Sequence, residues 1–245
     1  LGVKEAVANG LVAGPRLHIS TAILSQSGGH ADGWLPSGYD LTAATYPGMP
    51  SGVVDGPDEM RRAARAIIRA GADQIKVCTS GGVLSPRDDP RHGHFRDDEL
   101  DVLVAEANAA GIPVMAHAQG APGIKSAVRA GIRSIEHGIF LDDEAIEMML
   151  ERGTWLVPTL VAPRGVLEAA AAGAAIPPAS LRKAIEVVDI HMEAIRRAIA
   201  AGVKVAMGTD SGVAAHGHNL RELALMVEAG MTPLQAMLAT TISAA

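Results

Sequence analysis

Polar side chains with metal or acid–base chemistry stand where short apolar runs stop. Lys76 and Thr79 lie in "IKVCTSGG", His117 in "VMAHAQG", Glu136 and His137 in "SIEHG", and Asp210 in "MGTDSG". Two imidazoles and a carboxylate are ordinary ligands for Zn²⁺ or a similar divalent ion. The lysine is the odd member. As an ammonium it repels a cation, and burying it without a partner costs several kcal/mol. Once its neutral amine has taken up CO2 it is a carbamate, an anion with two oxygens, one for each of two ions. That chemistry gives a reason for a lysine inside an apolar run. Taken singly, each residue has an ordinary alternative: Lys76 reaching out to solvent, His117 and His137 as core histidines, Asp210 as a turn residue before Ser211-Gly212.

The elements that position these groups follow one design. "RAGADQIKVCTSGG", "AAGIPVMAHAQG", "RAGIRSIEHG", "ERGTWLVPT" and "AAGVKVAMGTDSG" each place a glycine (Gly71, Gly111, Gly131, Gly153, Gly202) before a short apolar run. A glycine there ends a helix in the left-handed conformation, and the Ile/Val-rich run after it reads as a buried parallel strand. "RLHISTAIL", residues 16–24, makes a sixth strand candidate. Helical patterns alternate with the strands: "DEMRRAARAIIRA", "RDDELDVLVAEANAA", "GAPGIKSAVRA", "DDEAIEMMLE" and "ASLRKAIEVVDIHMEAIRRAIA". The stretch from Trp34 to Pro57, rich in Gly and Pro, reads as a long loop. Such alternation means a parallel α/β sheet, closed as a (β/α)8 barrel or left open and doubly wound. No glycine-rich phosphate fingerprint follows the first strand, which weakens the dinucleotide-binding version.

Aromatics are only 2% of the 245 residues, so the core must be built from Ala, Val, Leu, Ile and Met. A net charge of −6 argues against nucleic acid as a partner. No 18-residue apolar run marks a membrane span. The single cysteine, Cys78, rules out a disulfide framework and points to a reducing compartment, the cytoplasm. Both ends look cut, which leaves room for a targeting segment upstream.

The ordered series "IKVCTSGG", "MAHAQG", "IEHG", "GTDSG" and "HGHNLRELALMVEAGMTPLQAMLATT" resembles the amidohydrolase superfamily, in particular its Xaa-Pro and Xaa-Arg/Lys dipeptidase branch. The likeness runs from "GPRLHIS" to the last residue. It implies a (β/α)8 TIM barrel and hydrolysis of a C–N bond in a dipeptide or N-acyl amino acid by water activated between two divalent ions. Lys76 would be the carboxylated bridging ligand. His117 and His137 would bind one ion, zinc by expectation. Asp210 would bind the other and shuttle the proton. The family's His-x-His pair has no counterpart in the right place, since His92–His94 and His216–His218 fall in loops. Residues 1–245 are therefore expected to be one partial barrel domain holding about strands three to eight, without the His-x-His strand and the small β domain. Alternatives from other classes are a non-catalytic barrel and an open-sheet cofactor binder. Within the superfamily, a cyclic amidase or a phosphotriesterase-like enzyme stays open, and Lys76 counts against a deaminase.

His30, His94 and His218 are the candidates for contact with a small-molecule or dipeptide substrate, His30 at the developing oxyanion. Arg87 and Arg91 could pair with a substrate carboxylate. Glu136 is expected on the face opposite His137, paired with an arginine, and Cys78 as a core filler. His18 and His191 read as structural. A homo-oligomer is compatible with all of this.

Overall fold

A computed structural model of the chain describes residues 1–35, 37–41 and 49–244. Its elements run α1 (Gly2–Ala8), β1 (Ile23–Leu24), α2 (Pro57–Arg69), β2 (Ile75–Cys78), α3 (Asp97–Ala109), β3 (Val114–Ala118), α4 (Ala121–Ala130) and β4 (Ser134–His137). They continue with α5 (Asp143–Arg152), β5 (Trp155–Val157), α6 (Val161–Ala171), α7 (Pro178–Ala201), α8 (Arg221–Glu228) and α9 (Pro233–Thr240). The five strands pair in parallel and in sequence order, β1-β2-β3-β4-β5. An order that never reverses is barrel progression, because a doubly wound sheet reverses at its switch point. The fold is thus an incomplete barrel, as the resemblance implied. No helix among the described residues is long and apolar enough to cross a membrane.

Strand register separates two faces. Leu24, Val77, Ala116, Ile135 and Leu156 lie side by side, all completely buried against the helices. Ile67 of α2, Leu103 of α3, Ile124 of α4 and Met149 of α5 pack in the same core. Lys76, Met115, Ser134 and Trp155 form a row on the other face and are half-buried. The five glycines ahead of the apolar runs all have positive φ, between 65° and 90°. The loop expected from Trp34 carries no helix or strand among its described residues, and α2 begins at Pro57; residues 36 and 42–48 lie outside the described residues.

Two expected strands are shorter than their sequence suggests. Of residues 16–24 only Ile23–Leu24 is a strand, because side chains take the backbone's partners upstream. The Ile19 N–H donates to Asp73 Oδ2 at 2.8 Å, and Ser20 Oγ accepts the Lys76 N–H at 3.0 Å. The run after Gly202 makes a single parallel bridge, Val205 to Leu156. Past it, the Met207 N–H turns to the Ala239 carbonyl in α9.

Helices α1 and α6 are additional. The first turn of α6 has no cap of its own. Instead the fully buried Glu222 of α8 accepts from Leu160 N and Val161 N at 2.8 and 2.7 Å. A carboxylate suits the positive end of that helix. Burial nonetheless pushes the Glu222 carboxyl up to about 7, against the pull of the two N–H groups and Arg164. The folded chain then holds this proton more tightly than the unfolded chain. The stability it contributes is full below the ordinary carboxylate range and is lost as pH rises toward 7.

Two outcomes are expected in denaturant titrations. Between about pH 5 and pH 8 the native protein should lose more stability than Glu222→Gln, by at most about 3 kcal/mol; equal slopes would exclude the buried-acid account. Gly123→Ala should cost about 1–3 kcal/mol, since a Cβ there would stand 2.2 Å from the Thr79 carbonyl oxygen at the end of β2.

Candidate active site

Residues at the ends of β2, β3 and β4 share the inner face. Cys78, His117 and Glu136 are register partners across the three strands, one layer beyond Lys76, Met115 and Ser134. Strict alternation would send His137 to the opposite, helix-packed face with its partner Ala118. It does not go there, because His137 adopts φ 76° and ends the strand. Its ring comes to 4.8 Å from that of His117, edge to face. Thr159 after β5 and Asp210 after the Val205 bridge are left-handed too, with φ 53° and 51°. Non-glycine residues in this conformation cost on the order of 1–3 kcal/mol each and cluster where function demands them. His137 Nδ1 and Thr159 Oγ1 are 2.7 Å apart, so two of these residues hold one another.

His117, His137, Asp210 and His30 line one cavity, with Val83, Ile139, Val166 and Val213 among its apolar walls. His30 stacks on His117, rings 4.0 Å apart and 11° from parallel. His191 of α7 is also in the wall and its Nε2 meets the His137 carbonyl at 2.9 Å.

Burial dominates the electrostatics. It holds His117 and His137 well below the usual imidazole value, with neighbouring imidazoles and the Lys76 charge adding to the effect. It lowers His30 to about 4 despite Asp88. It raises Glu136; Asp210 is raised too, by partial desolvation at the cavity rim although the residue as a whole is exposed, and the Lys76 charge pulls both back down. Lys76 therefore lies within electrostatic reach of every other sequence candidate at the cavity. The imidazoles are neutral, with lone pairs a metal can use.

Other candidates are placed elsewhere. His94 is buried outside the cavity wall, its Nδ1 without a partner among the described residues, and its backbone N–H donates to Thr79 O. His218 is exposed and lines a second depression of about 750 Å³ with Thr209, Ser211 and Asn219. Arg87 lies over the Trp34 ring, and Arg91 pairs with Glu186 and covers Phe140. Glu136 corrects the expectation made for it: it shares the face of His117, and its hydrogen-bond partner is the Ser134 hydroxyl at 2.7 Å, not an arginine. Cys78 is buried and its thiol is pushed up to about 12 by burial, which suits a packing residue. His18 is exposed. Gln119, Thr159 and the Ser85–Asp88 pair belong to the site's surroundings without any motif to announce them.

The donor chemistry fits a divalent ion: two neutral imidazoles and an acid in one wall, with a lysine close by. Among the described residues no three His, Cys, Asp or Glu side chains are grouped as ligands of one ion. Lys76 is the further donor this set has to offer.

Comparison with known proteins identifies the family and the fold. The amidohydrolase family model matches residues 1–245. An ochratoxinase from Aspergillus niger is 40% identical over 254 residues, an alignment covering 99% of this chain and 52% of that protein. The solved structure of a Xaa-Pro dipeptidase with methionine bound in its active site is 38% identical, with a TM-score of 0.89 over 99% of this chain and 60% of that one. A prolidase complexed with N-methylphosphonate-L-proline is 37% identical, with a TM-score of 0.90 and the same coverage. The chain thus spans about half the length of the curated relative it matches and three-fifths of these solved chains. Since one family model accounts for its whole length and these relatives share its fold, the chain belongs to the amidohydrolase family.

Proposed function

We propose that this chain carries the reaction centre of a metal-dependent hydrolase that cleaves the C–N bond of a small amide, either a dipeptide or an N-acyl amino acid. The observation that carries this reading is the convergence of His117, His137 and Asp210 on one cavity within reach of the Lys76 charge. Relatives named as an ochratoxinase and a Xaa-Pro dipeptidase support the amide substrate class.

His117 and His137 would hold a divalent ion through neutral imidazole, and Asp210 would supply a carboxylate oxygen. Zinc suits this donor set. Such an ion polarises the scissile carbonyl and makes water a stronger nucleophile. The Lys76 amine, after adding to CO2 and releasing a proton to solvent, would offer carbamate oxygens as further donors. Asp210 would take the proton of the attacking water and pass it to the nitrogen of the leaving amine, a general-base step followed by a general-acid step. The apolar walls at Val83, Ile139, Val166 and Val213 would pack the substrate's apolar part and exclude bulk water. The buried, reduced Cys78 accords with a cytoplasmic setting. A non-catalytic barrel is the second reading, favoured by the lack of a ready three-residue ligand group among the described residues.

Protein equilibrated with zinc and bicarbonate should retain metal through dialysis and hydrolyse members of a dipeptide and N-acyl amino acid panel. Metal that dialyses away completely would exclude the metal-centre reading, and bound metal without turnover would favour the non-catalytic barrel. Lys76→Ala should lower activity at least about 100-fold, since even the groups that only support ligands are worth about 10–100-fold. Short-chain carboxylic acids should restore part of it. Native metal content in that variant would remove the carbamate.

A further inference from the structure

Behind His30 lies a buried polar network that the metal-centre reading does not use. Lys183 of α7 is only 9% exposed. Its Nζ donates to the carbonyls of Gly82, at 2.9 Å, Ser85, at 2.7 Å, and Asp88, and stands 3.3 Å from Asp88 Oδ1. The loop after β2 is thereby clamped to a helix about a hundred residues downstream. The Asp88 carboxylate, itself 4% exposed, also accepts from Gly82 N at 3.2 Å and from the Ser85 hydroxyl. Ser85 Oγ in turn lies 2.7 Å from His30 Nδ1.

Proton counting gives this chain a direction. The Ser85 hydroxyl has one hydrogen, and its other neighbours, Asp88 Oδ1 and the Gly82 carbonyl, only accept. The short contact to the Asp88 carboxylate takes that hydrogen, which leaves Ser85 Oγ to meet His30 as an acceptor and puts the proton on Nδ1. This holds whichever charge the ring carries. Nε2 is left as the nitrogen whose occupancy is free, and among the described residues it has no hydrogen-bond partner. The ring cannot swing away. It stacks on His117, Ser85 holds its Nδ1, and the Gly82 backbone is so near that a Cβ there would stand 2.2 Å from His30 Cε1 and Nδ1.

We infer that Lys183, Asp88 and Ser85 are positioning residues that lock the His30 proton on Nδ1 and present Nε2 to the cavity as an acceptor for an N–H of the substrate. The substrate contact rests on the hydrolase reading, whereas the locked tautomer does not. His30 touches the substrate, and the other three act through it; a bare Nε2 cannot donate to a developing oxyanion, so this contact replaces the role expected for His30 from the sequence. The same clamp fixes Val83 and Leu84 of the cavity wall. A buried ammonium is justified here because its donors are fully used.

The test is long-range ¹H–¹⁵N correlation spectroscopy on histidine-labelled protein, with His30 assigned by the signal lost in His30→Gln. Native His30 should show Nδ1–H with a bare Nε2. Ser85→Ala should shift the ring toward the Nε2–H form, and Ser85→Thr, which keeps the hydroxyl, should restore the native pattern. In substrate assays Ser85→Ala should raise KM about tenfold, the worth of one hydrogen bond, while metal content stays native. A native ring carrying its proton on Nε2 overturns the relay. So does a Ser85→Ala spectrum identical to the native one. Failure of hydrolysis on every substrate with the Nδ1–H ring in place supports the relay and removes the hydrolase reading instead.

Discussion

The positive charge of Lys76 acts on a set of groups that burial has already perturbed. Around it, imidazoles at 30, 117 and 137 are held neutral, and the acids at 136 and 210 are pushed toward their protonated forms. The cation pulls the acids back while discouraging charge on the rings. Desolvation and Coulomb attraction thus oppose each other at both acids and reinforce each other at the imidazoles. A lysine in this place makes the inner face of the sheet electrostatically different from its outer face, which is uniformly aliphatic. The strands hold that difference in register, since one pairing scheme aligns Lys76 with Met115 and Ser134, and Cys78 with His117 and Glu136.

Register alone does not assemble the cavity. A strand can send only alternate residues inward, yet Glu136 and His137 are neighbours and both serve the inner side. The left-handed turn at His137 resolves this conflict by reversing the chain at that residue. Thr159 and Asp210 adopt the same left-handed conformation where their runs stop. The cost is local strain, and the bond between His137 and Thr159, with His191 on the His137 carbonyl, is part of what offsets it.

Much of this was legible from residue types. Glycine before an apolar run announced helix ends and strand starts, and all five such glycines proved left-handed. The two histidines and the aspartate were read as strand-end residues, and all three line one cavity, with Lys76 in electrostatic reach. What escaped was non-local. Period-two alternation put Glu136 on the wrong face because no residue type at 137 encodes a left-handed turn. Residues 16–24 looked like one strand because the claims of Asp73 and Ser20 on its backbone partners arise only after folding. Helix α6 carried no local start signal, its cap being far away in the chain. Lys183 looked like an ordinary residue of a long amphipathic helix, and only the fold shows which carbonyls it faces.

That distant cap says something about the order in which the molecule is built. The N–H groups at the start of α6 wait for a carboxylate 61 positions further along, at Glu222. Until α8 has docked, those N–H groups are left to water, and the cavity wall that α6 provides lacks the contact that fixes it. Closing so long a span has an entropic cost that must be met before the contact contributes anything. The sheet from β1 to β5 joins neighbours in sequence and can organise early. The pocket is therefore among the last parts of the chain to take shape, and a ribosome-bound chain short of residue 222 would have its strands without a finished chamber.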